Sequence, residues 1–183
     1  MRSLAGTLLV ATPVLTEPTF HRTVILLIAD EVDGAIGLVL NRPSSVPVAG
    51  VLPEWAALAT EPASVFTGGP VAPEAAVCLA RNNGRRADAW TPIAGGALGT
   101  LDLTGSAEEL AGTVGALRLF AGYAGWGAGQ LKAEIASDAW VTLTACDEDP
   151  FSPHPATLWR SVLRRQTGLV AAMANYPADP LLN

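Results

Sequence analysis

The stretch TVILLIADEVDGAIGLVLNRP, from Thr23 to Pro43, constrains the fold of this chain more than any other. Residues 23–29 and 36–40 are rich in β-branched residues and leucine, and the Asp33-Gly34 pair between them suits a turn with positive φ. We therefore predict an antiparallel hairpin. Because both strands are apolar on both faces rather than alternating, we expect them to lie centrally in a sheet with a layer on each side.

The rest of the chain mixes short strands with a few helices. Further strands are predicted near residues 8–11, 64–67, 74–81, 117–123 and 140–145, with two short ones around Gly95-Gly96. Residues 50–59 read as a helix with Pro53 in its first turn and Trp55 facing inward. No internal repeat, linker or regular strand–helix alternation appears, which favours the α+β class over a parallel doubly wound sheet.

Two further helices carry clear start signals. Ser106 and Glu109 have capping-box spacing, and Leu110, Val114 and Leu117 follow on one helical face. The last helix, PATLWRSVLRRQTG, is expected to end at Gly168 as its C-cap. Its inward stripe is expected to be Leu158, Trp159, Val162 and Leu163. We expect one domain over residues 1–183, with a frayed tail at about 176–183.

Composition excludes several classes of function. Half of the 183 residues are hydrophobic, so a sizeable core is available, and the net charge of −6 disfavours direct nucleic-acid binding. The strongest basic cluster is Arg160, Arg164 and Arg165. The first 15 residues resemble a weak signal peptide, but Thr7, Thr12 and Pro13 interrupt the apolar run, so a first strand is preferred. With no longer apolar segment following, we expect a cytoplasmic protein without membrane contact.

The chain offers no motif for a metal or a cofactor. Cys78 and Cys146 lie in apolar runs without CxxC spacing, and we expect both to be buried free thiols of a reducing cytoplasm. His21 and His154 have no ligand-like neighbours. The acidic run Asp147–Glu148–Asp149 is interpreted as a solvated turn, with a divalent-cation site as the alternative. We expect no cofactor and no metal.

The segment LFAGYAGWGAGQLKAEI, residues 119–135, allows two interpretations. A strand, three glycines, a helix, a second strand and Asp147 together imitate a dinucleotide-binding unit. Against this, the third glycine is one residue early for GxGxxG, Trp126 is bulky for a phosphate loop, and a helix of about eight residues is short for a parallel crossover. The alternative is packing, in which Gly122 and Gly125 allow a bend or a close backbone approach beside Tyr123.

At this point the chain resembles a known family. GYAGWGAGQLKAEI followed by a Trp-led strand, together with GTLLVATPVLTEPTFHRTVILLIAD, GAIGLVLNRP and VFTGGPV in order, is similar to the AlgH/YqgE-like family of bacterial proteins over about residues 5–170. The resemblance implies an α+β fold with a mainly antiparallel, bent or bifurcated sheet, partly closed into a small barrel and flanked by helices. One family member has been named a regulator of alginate synthesis, hence a possible transcriptional regulator. The resemblance supplies no catalytic residues, and the ending MANYPADPLLN departs from the family's Gly-rich one.

Candidate binding residues follow from the two glycine-rich turns. The turn at Thr67, Gly68, Gly69 and Pro70 is either an anion-binding nest or a tight strand-ending turn. Asn41 and Arg42 are candidates for placement near it. We hypothesise that this turn and residues 125–129 border one shared cleft. In that cleft Tyr123 and Trp126 would form apolar walls and Gln130 and Glu134 would supply polar groups.

Two classes of function therefore remain. The first is a binding or regulatory protein whose partner is an unidentified protein or small molecule. The second is a small-molecule enzyme with an unrecognised site near the Gly-Gly-Pro turn. The sequence contains no G-x-S-x-G elbow and no histidine placed for a triad, which favours the binding protein. The oligomeric state is left open.

Overall fold

The computed structural model describes residues 3–84 and 88–177. Its strands are β1 Thr7–Ala11, β2 Val24–Glu31, β3 Gly34–Val39, β4 Pro43–Pro47, β5 Ser64–Thr67, β6 Val71–Asn82, β7 Trp90–Pro92, β8 Leu98–Leu101, β9 Val114–Gly127 and β10 Trp140–Thr144. Its α-helices are α1 Val48–Val51, α2 Ala107–Leu110, α3 Gln130–Ala136, α4 Pro155–Arg164 and α5 Gly168–Met173. Short 3₁₀ turns cover Pro53–Leu58 and Asp149–Phe151.

The strands form one curled, mostly antiparallel sheet, a half-barrel, in the order β10-β1-β2-β3-β9-β6-β8-β7. The long strand β9 joins its two halves. Along one edge of β9, β5 pairs in parallel beside Phe120 and Ala121, and β3 pairs antiparallel from Ala124 to Gly127. The sheet therefore forks where β5 and β3 leave β9. This architecture confirms the expected α+β class with a mainly antiparallel, bifurcated sheet.

The predicted hairpin is confirmed. Strands β2 and β3 pair antiparallel with Ile25 opposite Val39 and Leu26 opposite Leu38. Alternate residues of β2 enter two separate core clusters on the two faces of the sheet, as the two-sided apolar pattern predicts. Only the tip of the hairpin is less buried. A register shift follows Leu27, and beyond it Ile36 is 38% exposed.

The fork depends on glycine at two positions. Gly122 has φ +69°, and a Cβ there would lie 2.8 Å from the carbonyl oxygens of Gly69 and Val71. A Cβ on Gly69 would lie 2.2 Å from the backbone carbon of Tyr123. The backbones at Gly69 and Gly122 thus cross so closely that neither position has room for a Cβ atom. The packing interpretation of the glycine-rich segment is confirmed at Gly122, whereas a Cβ on Gly125 would meet side-chain atoms only at 3.6 Å or more.

The same geometry contradicts the dinucleotide interpretation. Helix α3 has seven residues, and β10, which follows it, pairs antiparallel with β1 at the far edge of the sheet half rather than beside β9. Three strands separate β9 from β10. The crossover between neighbouring parallel strands that a phosphate loop requires is therefore not formed.

The predicted ends of α2 and α4 were wrong. Helix α2 ends at Leu110, and Val114 already belongs to β9, because Gly112 and β-branched Thr113 and Val114 favour extended chain over helix. Gly168 has φ +61° but begins α5 rather than capping α4, whose C-cap is Arg165.

Cys146 is exposed, whereas Cys78 is buried as expected. Cys146 lies just beyond the end of edge strand β10, where the chain turns outward. The helix predicted to begin at Pro155 is confirmed as α4, with all four of its inward residues buried, although α5 and not the tail follows it. The tail from residue 178 onward lies outside the described residues. No helix within residues 3–84 and 88–177 is long and apolar enough to cross a membrane.

Candidate functional site

A small basic pocket of about 260 Å³ lies between helix α4 and two loops that flank the central hairpin. We call it the arginine pocket. It is lined by His21, Arg22, Asn41, Arg42, Ala156, Thr157, Trp159 and Arg160. The two loops are positioned by the sheet, since residues 21–22 lead into β2 and residues 41–42 follow β3. Strands paired in the hairpin thus bring both arginine-bearing loops to one end of the sheet.

Arg22 has a strained backbone that its neighbours hold in place. Its φ is +55°, a left-handed conformation that costs a residue with a side chain about 1–2 kcal/mol. The buried Asn41 amide donates from Nδ2 to the Arg22 carbonyl (2.9 Å) and accepts at Oδ1 from the Val24 N–H (3.0 Å). The guanidinium then lies 4.6 Å from the centre of the Trp159 ring and donates to the Tyr176 carbonyl. Such strain is characteristic of functional sites.

The carboxylates of the described residues do not pair with the arginines of the pocket. In the described ranges, the ion pairs within 4.0 Å join Arg81 to Glu148 and Arg165 to Asp149. Arg22, Arg42 and Arg160 have no carboxylate of those ranges within that distance. Burial, and then the nearby charge of Arg160, lowers the pKa of Arg22, while burial lowers the pKa of Arg42. Both shifts mark cations held in an unfavourable environment, which an anion would relieve.

Two further features of the pocket suit an anion. Ala156 and Thr157 belong to the first turn of the ten-residue helix α4, which has no side-chain cap. Pro155 has no N–H and the Thr157 N–H donates to the His154 carbonyl (3.1 Å), so this end offers an anion the Ala156 N–H and the helix dipole. His21 uses Nδ1 toward the Leu15 carbonyl (3.3 Å), so its Nε2 is the nitrogen left for a ligand.

The structure brings two groups of the predicted candidates together. Asn41 and Arg42 line the arginine pocket, and the Thr67 N–H donates to the Arg42 carbonyl (2.8 Å). The Thr67–Pro70 turn therefore lies beside the pocket. As an anion nest it offers little, because the Gly68 N–H already donates to the Ala121 carbonyl (2.9 Å) and Pro70 has no N–H.

Tyr123 and Trp126 line a different depression, of about 460 Å³, beside the hairpin tip with Glu31, Asp33 and Val71. Gly69 and Pro70 line a depression of about 300 Å³ on the arginine side. These two depressions share no lining residue. The turn contacts β9 at Gly122 and Tyr123 through its backbone, rather than opening onto residues 125–129 across a common space.

Gln130 and Glu134 hold helix α3 against the sheet. The Glu134 Oε2 atom accepts from the indole Nε1 of Trp126 (2.9 Å) and of Trp140 (2.8 Å), and its Oε1 accepts from Gln130 Nε2 (3.0 Å). Gln130 Oε1 in turn accepts from the Gly127 N–H (3.0 Å). Both side chains thus have their polar atoms engaged by the protein itself.

Sequence reasoning missed Arg22 as a pocket residue and noted Arg160 only as part of a basic cluster. Neither stands in a motif, and only the fold brings them together. The acidic run was also misread at Asp149, which is 4% exposed, pairs with Arg165 through both oxygens (2.6 and 2.8 Å) and accepts from the Cys146 N–H. No group of residues suited to hold a metal ion occurs in the part of the chain that the structure describes.

Comparison with known proteins gives a consistent result. The model of the AlgH-like family matches residues 8–171. A UPF0301 protein of Streptomyces coelicolor is 49% identical over 185 residues, covering 99% of this chain and 96% of that protein. A UPF0301 protein of Mycobacterium leprae is 44% identical, covering 97% of this chain and 90% of that protein.

Two solved structures are also similar. The crystal structure of protein DIP2367 from Corynebacterium diphtheriae has a TM-score of 0.90 and 31% identity, covering 96% of this chain and 93% of that one. The solution structure of the AlgH protein from Pseudomonas aeruginosa has a TM-score of 0.66 and 28% identity, covering 96% and 95%. The half-barrel is thus shared with both.

Proposed function

The chain belongs to the AlgH-like family, and we propose that it is a cytoplasmic binding protein whose ligand is a small anion held in the arginine pocket. One observation carries the proposal. Three arginines that no carboxylate of the described residues pairs with converge on one concave site, although the protein as a whole has a net charge of −6. An acidic protein gains nothing in stability from gathering like charges, so the arrangement favours recognition.

The site supports binding rather than catalysis. Guanidinium groups remain protonated at neutral pH and act as donors, not as acids or bases. The His21 ring, through Nδ1, contacts the Leu15 carbonyl, and within the described residues no carboxylate orients it as a base. A regulatory role is the corresponding proposal for the organism, with ligand occupancy as the signal. The names of the similar proteins state no activity or ligand.

Calorimetry with inorganic phosphate, pyrophosphate and citrate tests the proposal. We expect at least one to bind, and Arg160→Gln to weaken it at least tenfold, because a charge-assisted hydrogen bond of about 1.5–3 kcal/mol is lost. The Arg160 side chain is exposed and forms no hydrogen bond within the described residues, so the variant should fold normally.

Arg164→Gln is the matched control. Arg164 is exposed on the same helix but does not line the pocket. Its substitution should leave anion affinity within twofold of the original. Equal loss in both variants would indicate a general charge effect, and absence of binding by all three anions at low ionic strength would refute the proposal.

A further inference from the structure

A second depression adjoins the arginine pocket. It has a volume of about 300 Å³, and its lining includes Thr19, Val39, Pro43, Thr67 and Pro70. Arg42 lines both spaces. One side chain is therefore common to the two depressions, which makes them neighbours.

Arg42 is a fixed wall between the two depressions. Its side chain is half-buried, and its Nη2 donates to the His21 carbonyl (2.5 Å). Its own carbonyl accepts from the Thr67 N–H (2.8 Å). The residue thus ties the loop of the arginine pocket to the strand that borders the second depression, which fixes the distance between the two spaces.

The second depression is also preformed. The Gly68 carbonyl accepts from the Val39 N–H (2.9 Å) while the Gly68 N–H donates to Ala121. Gly69 lies against the backbone of β9 with no room for a side chain. The turn therefore has one position, and a ligand meets a rigid surface rather than a loop that must be ordered on binding.

The chemistry of the second depression differs from that of the first. Arg42 is its one ionisable lining residue, and the others supply proline and valine surface or hydroxyl groups. The Thr67 hydroxyl is exposed and forms no hydrogen bond with any residue in the described ranges. Apolar walls with a free hydroxyl suit an uncharged, hydroxyl-bearing organic group.

We infer that the ligand is a phosphate monoester of a sugar or small polyol, with the phosphate among Arg22, Arg42 and Arg160 and the organic group beside Thr67. This rests on the proposed anion-binding function. Three cations match a phosphate dianion better than the single charge of a carboxylate. The organic group attached to the ester oxygen would then occupy the neighbouring depression.

Calorimetry with four probes tests this inference: inorganic phosphate, glucose 6-phosphate, glucose and glucuronate. Glucose 6-phosphate is expected to bind at least tenfold more tightly than inorganic phosphate, and glucose alone not to bind at millimolar concentration. Glucuronate, which carries a carboxylate on the same ring, is expected to bind at least tenfold more weakly than glucose 6-phosphate.

Variants separate the two depressions. Thr67→Val should weaken glucose 6-phosphate three- to tenfold and leave inorganic phosphate unchanged, whereas Arg160→Gln should weaken both. Thr67→Ala serves as a second variant should valine perturb the strand, and melting temperatures check folding. Thr142→Val is the control, since Thr142 is an exposed strand threonine of β10 that lines neither depression.

The outcomes distinguish this inference from the function on which it rests. If inorganic phosphate binds but glucose 6-phosphate binds no more tightly, or if Thr67→Val weakens both equally, the sugar phosphate is wrong and anion binding stands. If glucuronate equals glucose 6-phosphate, the phosphate assignment is overturned. If neither phosphate compound binds, the inference is wrong, and the proposed function is wrong as well if pyrophosphate and citrate also fail to bind.

Discussion

The two cysteines of the chain lie in opposite environments, and burial changes the chemistry of one of them. Cys78 lies in β6 and is buried, whereas Cys146 is exposed. Burial raises the pKa of Cys78 to about 12. An unfolded cysteine has a pKa of about 8.5, so the folded state holds its proton more tightly. Stability from this group is therefore present below about pH 8.5 and lost as the pH rises toward 12.

We predict that Cys78→Ala flattens this pH dependence. Between pH 8 and pH 10 the wild-type free energy of unfolding should fall by about 2 kcal/mol more than that of the variant, at about 1.4 kcal/mol per pH unit once the unfolded thiol ionises. Urea unfolding at several pH values measures it. Cys146→Ala should keep the wild-type slope, and the same slope in Cys78→Ala would contradict the assignment.

Arg118 is a buried cation that forms no ion pair with a carboxylate in the part of the chain that the structure describes. It is 1% exposed, and its guanidinium donates to the carbonyls of Pro150 (3.0 Å), Ser152 (3.2 Å) and Glu61 (2.8 Å), 4.2 Å from the centre of the Phe66 ring. Burial lowers its pKa to about 10. The side chain joins the Asp149–Phe151 turn and the Glu61 loop to β9.

Replacing Arg118 has two opposing effects on stability, since it removes both a buried charge and the donors of several hydrogen bonds. Arg118→Met removes the cost of the buried charge but leaves the carbonyl groups without their donor, so we predict a net loss of about 1–3 kcal/mol in the free energy of unfolding. Arg164→Met, at an exposed position of α4, should change it by less than about 0.5 kcal/mol. An Arg118→Met protein as stable as the original would show that charge burial outweighs the hydrogen bonds.

At the scale of elements, the bend in β9 decides how the half-barrel curls. Gly122→Ala places a Cβ 2.8 Å from the carbonyl oxygens of Gly69 and Val71 at φ +69°. Left-handed strain of about 1–2 kcal/mol adds to overpacking of about 1–3 kcal/mol, so we predict a loss of about 2–5 kcal/mol in the free energy of unfolding. Gly125→Ala in the same strand meets only side chains at 3.6 Å or more and should cost less than about 1 kcal/mol. Denaturant titration compares them, and equal losses would contradict the crossing.

Helix α3 depends on a different device, the Glu134 carboxylate. Glu134→Ala leaves the indole N–H groups of Trp126 and Trp140 without their acceptor, and both rings are nearly fully buried. At about 1–3 kcal/mol for each of the two groups, we predict a loss of about 2–6 kcal/mol in the free energy of unfolding and a shift in tryptophan fluorescence. Lys132→Ala, exposed on the same helix, should do neither. A stable Glu134→Ala protein would indicate that the indoles find other acceptors.

At the scale of the whole molecule, the sequence predicted what depends on local pattern. The central hairpin and α4 follow from apolar periodicity and from a turn or start signal within a few residues. The length of α2 did not follow, because two glycines and β-branched residues competed with a valid capping signal. The fork of the sheet could not be predicted from the sequence, for a different reason. Gly69 and Gly122 are far apart in the chain, and each looks like an ordinary turn glycine until the two backbones meet.

The candidate site was predictable only in part for the same reason. Asn41, Arg42 and the Thr67–Pro70 turn were singled out by turn chemistry, and the structure places them side by side. Arg22 and Arg160 complete the pocket from opposite ends of the chain. Their charges look unremarkable in an acidic sequence, because only the fold shows that no carboxylate of residues 3–84 and 88–177 pairs with them.

The central claim is that the arginine pocket binds a small anion, and a crystal soaked in selenate tests it most directly. Selenate is a tetrahedral dianion like phosphate, and its selenium gives an anomalous signal. At low millimolar selenate the account predicts the strongest anomalous peak among the guanidinium groups of Arg22, Arg42 and Arg160, and its loss in Arg160→Gln crystals but not in Arg164→Gln crystals. Peaks only elsewhere on the surface, with an empty arginine pocket, would contradict the account.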